Sequence, residues 1–383
     1  MINSLRFRNF KALRRVDLAL ERLTLLVGPS GSGKTSVLDG LHHLTRLATE
    51  EPSEVFTQAA AVGLICSRGA SGAFELGLAG SFRARRGSLS IAFPSIEDFP
   101  FSSTYVLESR WGDRHRAIRR ELDADPGAAG GLSPAELPLA SALGEAVFLR
   151  FDPRRLAAPS PCASEAGGAP ALGTDGTNLA GVIADLATTR PDEFLRIEGA
   201  LRAVIRGLNR VRVVRAVRAD TLVFDMVGAA DLPAHAMSEG TLRVLGLFTA
   251  LIAASPSCLV LIDPIDRAVG PLAVVAFMRQ IEAILAADPR LQIVATTDSP
   301  RILDEVTPEE VRVHALQDHG AALVVPLASH PDFALLRDDL RPGELWTATG
   351  DAWVAEAVRV AERTTLPPPL PPSIPPPAST RGR

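Results

Sequence analysis

Residues Gly28-Pro-Ser-Gly-Ser-Gly33-Lys34-Thr35 fit the pattern G-x-x-x-x-G-K-[ST]. A loop of this composition suits polyphosphate. Its glycines let successive backbone N–H groups curl around phosphate oxygens, and a helix starting at its end adds the positive end of its dipole. The candidate nucleotide contacts are Gly28, Ser30, Gly31, Ser32, Gly33, Lys34, Thr35 and Ser36. Lys34 is expected to bridge the β and γ phosphates, and the Thr35 hydroxyl to ligate Mg2+. ATP and Mg2+ are thus the expected cofactors. A second oxygen for the metal is offered by Asp263, which closes the apolar run Leu259-Val-Leu-Ile262 in the manner of a strand ending in a metal-holding carboxylate. Metal candidates are therefore Thr35 and Asp263.

These groups need elements that bring them together. Residues 3 to 27 alternate and then turn continuously apolar, which predicts a hairpin leading into a buried strand before the loop. Val37, Leu38, Leu41 and Leu44 have helical spacing directly after it. Short alternating segments from Phe74 to about Leu122 predict antiparallel strands. Residues 124 to 176 are rich in Ala, Gly and Pro and predict an irregular connection with one short helix. Beyond them the pattern predicts helices over 178–188 and 191–208 and strands over 210–217 and 221–227. It continues with a helix from Gly240, a strand over 259–262, a helix over 272–287 and a strand over 292–295. Strands alternating with helices imply a parallel α/β core. The tail from Leu366 carries 8 prolines between Pro367 and Pro377, a composition that favours a disordered extension.

Composition narrows the classes. With 383 residues, 46% of them hydrophobic and 22% charged, the chain has material for a full globular core. The formal net charge of −4 neither demands nor excludes a polyanionic partner. Cys66, Cys162 and Cys258 form no C-x-x-C pair, which argues against a disulfide framework or a zinc site and for a cytoplasmic setting. No apolar stretch predicts a signal peptide or a membrane span. All but two of the 40 basic residues are Arg; the exceptions are Lys11 and Lys34. A lysine that survives such a bias marks a place where a compact ammonium is needed, as in a phosphate loop.

Met237-Ser238-Glu239-Gly240-Thr241 precedes the apolar helix Leu242 to Ala253. Alone it reads as a serine N-cap with an acidic first turn. Placed shortly before the Asp263 strand, it resembles the signature motif of ABC-type ATPases. Together the loop, this motif and the Asp263 strand resemble the RecF/SMC-like predicted ATPases of bacteria, an AAA-labelled ABC-type family related to OLD-like heads but without a Toprim domain. Supporting stretches are NSLRFRNFKAL at 3–13, LRFDPRRLAAPSP at 149–161, DGTNLAGVIADL at 175–186, MSEGTLRVLGL at 237–247 and RPGELWTATGDAW at 341–353. The resemblance thus runs to about Trp353.

What the resemblance implies is an α/β P-loop NTPase head of ABC type, with a parallel core sheet, an antiparallel β lobe and a helical insert. The expected division is 1–72 for the first part of the ATPase core, 73–123 for the β lobe and 124–230 for the insert with return strands. Residues 231–355 complete the core, and 366–383 form the tail. Ser238 and Gly240 would clasp the γ-phosphate bound by the opposite subunit, so that ATP joins two copies in a homodimer. Asn9, Phe10 and Lys11 would lie near the adenine or ribose.

The pattern breaks at two places. Pro264 follows Asp263 where the family carries a water-polarising Glu, and Thr297-Asp298-Ser299-Pro300 has Asp298 where the family has His. Loss of a general base typically costs about 10²–10⁴ in rate, so slow hydrolysis is expected. Asp263, Asp266 and Asp298 are the catalytic candidates, with Asp266 or Asp298 able to act as base from a shifted position; the competing reading makes Asp266 a packing residue at a dimer seam. A carboxylate at 298 also sets negative charge beside the γ-phosphate and weakens ATP binding unless Mg2+ or an arginine offsets it.

The partners remain open at this point. Arg83, Arg85, Arg86, Arg110, Arg114, Arg116, Arg119 and Arg120 in the β lobe, with Arg210, Arg212, Arg215 and Arg218, suggest contacts to DNA phosphates. An Arg-biased composition would put Arg on any surface and competes with that reading. No sustained heptads separate Lys34 from Ser238, which excludes a long coiled-coil arm. The stretch after Asp298 is too short for a Toprim nuclease, so any nuclease chemistry would belong to a partner. Three functions follow: a RecF-like ATPase in DNA repair or phage defence, a hydrolysis-deficient ATP-dependent regulator of a partner effector protein, and a transport ATPase, which the missing membrane span disfavours.

Overall fold

The computed structural model describes residues 1–56, 65–69, 71–93, 104–121, 137, 139, 143, 146–161, 170–215, 219–253 and 259–364. Cys162, Cys258, Arg218, the tail from Leu366 and much of 124–176 lie outside the described residues. The chain opens with β1 (Ile2–Phe10), β2 (Leu13–Ala19) and β3 (Leu23–Val27), and the glycine loop then leads into α1 (Lys34–Arg46). Four antiparallel strands follow: β4 (Phe74–Phe82), β5 (Arg85–Phe93), β6 (Thr104–Trp111) and β7 (Arg114–Glu121). Next come β8 (Ala146–Leu149) and β9 (Ser160–Pro161), then α2 (Leu179–Thr189) and α3 (Pro191–Val204). A small sheet of β10 (Leu208–Arg215), β11 (Ala219–Met226) and β12 (Ala229–Pro233) precedes α4 (Glu239–Ala253). The remaining elements are β13 (Leu259–Ile262), α5 (Val274–Ala287), β14 (Gln292–Thr296), β15 (Val311–Leu316), β16 (Ala322–Pro326), α6 (Pro342–Thr349) and α7 (Val354–Thr364).

Two large sheets carry the architecture. One runs β16-β15-β3-β14-β13-β8, parallel except for the β15–β16 hairpin. Its central strands β3, β13 and β14 are buried at every position, which is why they read as unbroken apolar runs. The other sheet is antiparallel in the order β2-β1-β4-β5-β6-β7. The β lobe is thus present, but it is continuous with the N-terminal hairpin, since β1 pairs with both β2 and β4. The 72/73 boundary accordingly falls between two strands of one sheet. The irregular reading of 124–176 also needs correcting, because Ala146–Leu149 forms β8, an edge strand of the parallel sheet. Four residues inside an Ala/Gly/Pro-rich stretch are too few to show a period.

Helix α1 lies between the two sheets. Val37, Leu38, Leu41 and Leu44 are fully buried in a core shared with Phe7, Phe10 and Phe74 of the antiparallel sheet and with Leu26, Leu261 and Val294 of the parallel one. A second core gathers α2, α3, α4 and α5 on the opposite face of the parallel sheet. Close approach of α1 to β1 depends on Gly40, where an added Cβ would stand 2.5 Å from a ring carbon of the buried Phe7. Gly40→Val should therefore lower stability by at least about 2 kcal/mol, overpacking outweighing the better helix propensity of valine. A denaturation midpoint in urea equal to that of the parent would contradict this packing.

Candidate phosphate-binding site

Four neighbouring parallel strands end at one level. Leu149 of β8 pairs with Ile262 of β13, Ile262 with Ala295 of β14, and Thr296 with Leu26 of β3. The residues just beyond these ends are Arg150, Asp263, Thr297-Asp298 and the loop from Gly28. Carboxyl ends of parallel strands are where open α/β sheets bind ligands, because loop backbone and helix N-termini converge there.

The loop itself is held tightly. Gly28 has φ +149°, and a Cβ there would lie 2.3 Å from the His314 carbonyl oxygen, so no other residue fits between β3 and β15. Gly31 and Gly33 also have positive φ, and α1 begins at Lys34 directly after Gly33. Ser30 and Gly31 are exposed, Ser36 is half-buried and Ser32 is buried with an Oγ lacking a hydrogen-bond partner among the described residues. Behind the loop sits His314, fully buried, with Nδ1 3.2 Å from the Ser32 carbonyl oxygen. Burial pushes its pKa down to about 4, and the nearby Lys34 charge adds to that. His314 is therefore neutral at pH 7.

Charges meet in front of the loop. Lys34 Nζ donates to the carbonyl oxygens of Gly28 at 2.5 Å and Pro29 at 3.1 Å, and it also pairs with Asp298 Oδ1 at 3.1 Å. Thr35 Oγ1 donates to Asp263 Oδ2 at 3.0 Å. The other oxygen of Asp263 accepts from Thr296 Oγ1 at 2.6 Å, and Arg150 Nε reaches Oδ2 at 3.2 Å. The same guanidinium binds Asp39 Oδ1 at 2.9 Å, whose second oxygen holds Lys11 Nζ at 2.5 Å. Asp298 stands close to Asp266, whose Oδ1 accepts its backbone N–H at 3.3 Å.

Lys34, Thr35, Asp263, Asp266 and Asp298 lie together. Ser238 and Gly240 are not joined to the loop by any described hydrogen bond. Ser238 caps α4, its Oγ accepting from the Thr241 N–H at 3.2 Å, and Gly240 packs against the Ala268 carbonyl, 3.0 Å from an ideal Cβ. This places the motif beside the turn Asp266–Ala268 that follows Asp263. Asn9, Phe10 and Lys11 have the following settings. Phe10 is fully buried, stacked on Phe7 and edge-on to Phe74, and offers no face to a base. Asn9 Nδ2 instead donates to the carbonyls of Ser71 and Ala73, and Lys11 is committed to Asp39.

Arg150, Asp39, Thr296 and His314 escaped the sequence reading. Arg150 lies in the 149–161 stretch without a role of its own, and Asp39 is one of several polar residues on its helix, one turn after Thr35. Among the proposed DNA contacts, Arg212 is held bidentately by Asp225 and also by Asp231, while Arg215 binds Asp220. Arg114, Arg116 and Arg119 are exposed on β7, and Arg85 and Arg86 are exposed at the start of β5, on the other side of β6.

Comparison with known proteins fits this geometry. Residues 165–304 match a family model described as "AAA domain, putative AbiEii toxin, Type IV TA system"; that segment includes Ser238, Asp263 and Asp298 but not the glycine loop. No curated protein matches the chain. Among solved structures, the chain is similar to an SMC head bound to the C-winged helix domain of ScpA, at 14% identity and a TM-score of 0.55, covering 85% of this chain and 96% of that one. It is also similar to the SMC head domain from Thermotoga maritima, at 12% identity and a TM-score of 0.47, over 85% and 98% of the two chains. The fold is thus similar to that of an SMC head.

Two outcomes follow from these contacts. Asp298→Asn should tighten ATP binding about 3- to 10-fold by freeing Lys34 and removing a carboxylate that opposes the phosphates; unchanged or weaker affinity in a fluorescence titration would show that the ion pair does not oppose the nucleotide. Because the folded-state pKa of His314 lies below its unfolded value, its contribution is complete above pH 6.5 and is lost as pH falls toward 4. His43, also lowered to about 4 mainly by burial, adds to the same loss. Urea midpoints should fall from pH 7 to pH 4.5, less steeply in His314→Asn.

Proposed function

We propose that this chain is an ATP-binding head that holds Mg-ATP on the 28–35 loop, hydrolyses it slowly and joins a second copy around the nucleotide. The observation that supports this most is the convergence of Lys34, Thr35 and Asp263 at adjoining strand ends, with Thr35 Oγ1 and Asp263 Oδ2 3.0 Å apart. Hydroxyl and carboxylate oxygens are the donors that Mg2+ takes alongside phosphates, so Thr35 and Asp263 fit that ion, which would neutralise phosphate charge when bound.

In this reading the backbone N–H groups of Gly31 to Thr35 cradle the phosphates, and Lys34 exchanges Asp298 for phosphate oxygens. Pro264 places no carboxylate next to Asp263. Asp266 Oδ1 accepts the Asp298 backbone N–H and the Asp298 carboxylate pairs with Lys34, so both remaining acids already have partners. Slow hydrolysis follows. The signature residues Ser238 and Gly240 lie at an exposed helix start beside the 266–268 turn, a position that suits contact with nucleotide on a second copy. The exposed arginines of β5 and β7 support DNA as a partner in repair or phage defence.

A second reading, a regulator of an effector protein that binds ATP with little turnover, is favoured by Pro264 and by the toxin–antitoxin wording of the matched family. Among the described residues no helix is long and apolar enough to cross a membrane.

Lys34→Ala should weaken ATP binding by at least about 100-fold, and retained affinity would refute the loop assignment. Ser238→Arg should keep monomer binding but abolish ATP-dependent dimers in light scattering. Turnover stimulated by DNA would select the repair or defence reading; tight binding without turnover would select the regulator.

A further inference from the structure

Arg150 is a cation of this site to which the sequence motifs assign no role. Its backbone is fixed at the end of β8, where its N–H donates to the Thr174 carbonyl at 2.8 Å and the preceding Leu149 carbonyl accepts from the Asp263 N–H at 3.0 Å. Its guanidinium carbon lies 4.4 Å from the centroid of the Phe148 ring. The side chain is nevertheless 45% exposed, so the head group is anchored by carboxylates rather than enclosed.

Both carboxylate oxygens of Asp263 are engaged. Oδ1 is taken by the hydroxyl of Thr296, a buried residue, and Oδ2 is shared between the Thr35 hydroxyl and Arg150 Nε. A divalent cation held by Thr35 and Asp263 would need Oδ2 and would lie beside a like-charged guanidinium, so one must leave as the other arrives. Thr35 would be a ligand for the same ion and Thr296 is buried, which leaves the half-exposed Arg150 as the exchangeable partner. On leaving Asp263 it keeps its bond to Asp39 on α1, one turn beyond Thr35, within the same cluster of strand ends.

We propose that Arg150 is a phosphate-binding residue whose hold on Asp263 is exchanged for a divalent metal, so that metal and guanidinium compete for one carboxylate oxygen and the released guanidinium binds the nucleotide's phosphates. It thereby supplies the positive charge that offsets Asp298 beside Lys34. This inference rests on the ATP-binding reading of the loop. A planar guanidinium suits this exchange because it bridges two carboxylates, Asp263 and Asp39, and can present the same fork to phosphate.

The test uses the full chain and its R150A, R150K and K34A variants. Calorimetric titration with Mn2+ in the absence of nucleotide should show at least a fivefold tighter site in R150A than in the parent. Titration with ATP in saturating Mg2+ should show about a tenfold loss in R150A and a smaller loss in R150K, which keeps the charge but not the fork. Unchanged or weaker Mn2+ binding in R150A overturns the proposal, as does an ATP affinity in saturating Mg2+ equal to the parent's. Should R150A fail to fold, as judged by circular dichroism, R150Q takes its place with the same expected outcomes. ATP binding that K34A leaves intact refutes the loop assignment together with this inference. ATP binding that depends on Lys34 but ignores Arg150 refutes this inference alone.

Discussion

The level pairing of β8, β13, β14 and β3 is the constraint on which the candidate site rests. Parallel strands in matched register end together, so residues far apart in sequence, Arg150, Asp263, Asp298 and the 28–35 loop, meet without any long loop to carry them. A shift of one residue in any pairing would turn an inward position outward and separate Asp263 from Thr35 or Thr296. The strands resist such a shift because both faces are covered, by α1 on one side and by α2 to α5 on the other.

Packing behind the loop is as exacting as the chemistry in front of it. Gly28 leaves room for the His314 backbone and Gly40 leaves room for Phe7, so loop and helix are each seated by the lack of a side chain. His314 is a buried imidazole facing a backbone carbonyl, an arrangement that favours the neutral ring and gives the loop a rigid backing. In front, positive and negative groups alternate from Lys11 through Asp39 and Arg150 to Asp263, and again from Lys34 to Asp298. Such a chain of paired charges is satisfied within the protein, and a polyanion entering it must replace partners rather than fill an open cation.

Much of this was legible in the sequence, for physical reasons that differ by element. The glycine loop was visible because its backbone needs residues without Cβ, and β3, β13 and β14 were visible because strands covered on both faces become unbroken apolar runs. Strand β8 was not visible, since four residues at a sheet edge carry no period and their surroundings are rich in Ala, Gly and Pro. With it went any role for Arg150. The burial of Phe10 was equally hidden: a Phe-Lys pair at a strand end reads the same whether the ring faces a ligand or a core, and only the β4 pairing puts Phe74 against it. The charge pairing of Arg212 and Arg215 depends on the β10–β11 register, which composition does not reveal.

The last of the described strands in the antiparallel sheet is β7, whose sequence is RHRAIRRE. A terminal strand offers a row of unpaired backbone groups to any other extended chain, and crowding it with cations is one way that proteins repel such recruits. The arginines at 114, 116 and 119 therefore guard a sticky border, whatever else they touch. Stripping them to probe nucleic-acid contacts would remove that guard as well, and self-association of the altered protein would imitate a lost ligand.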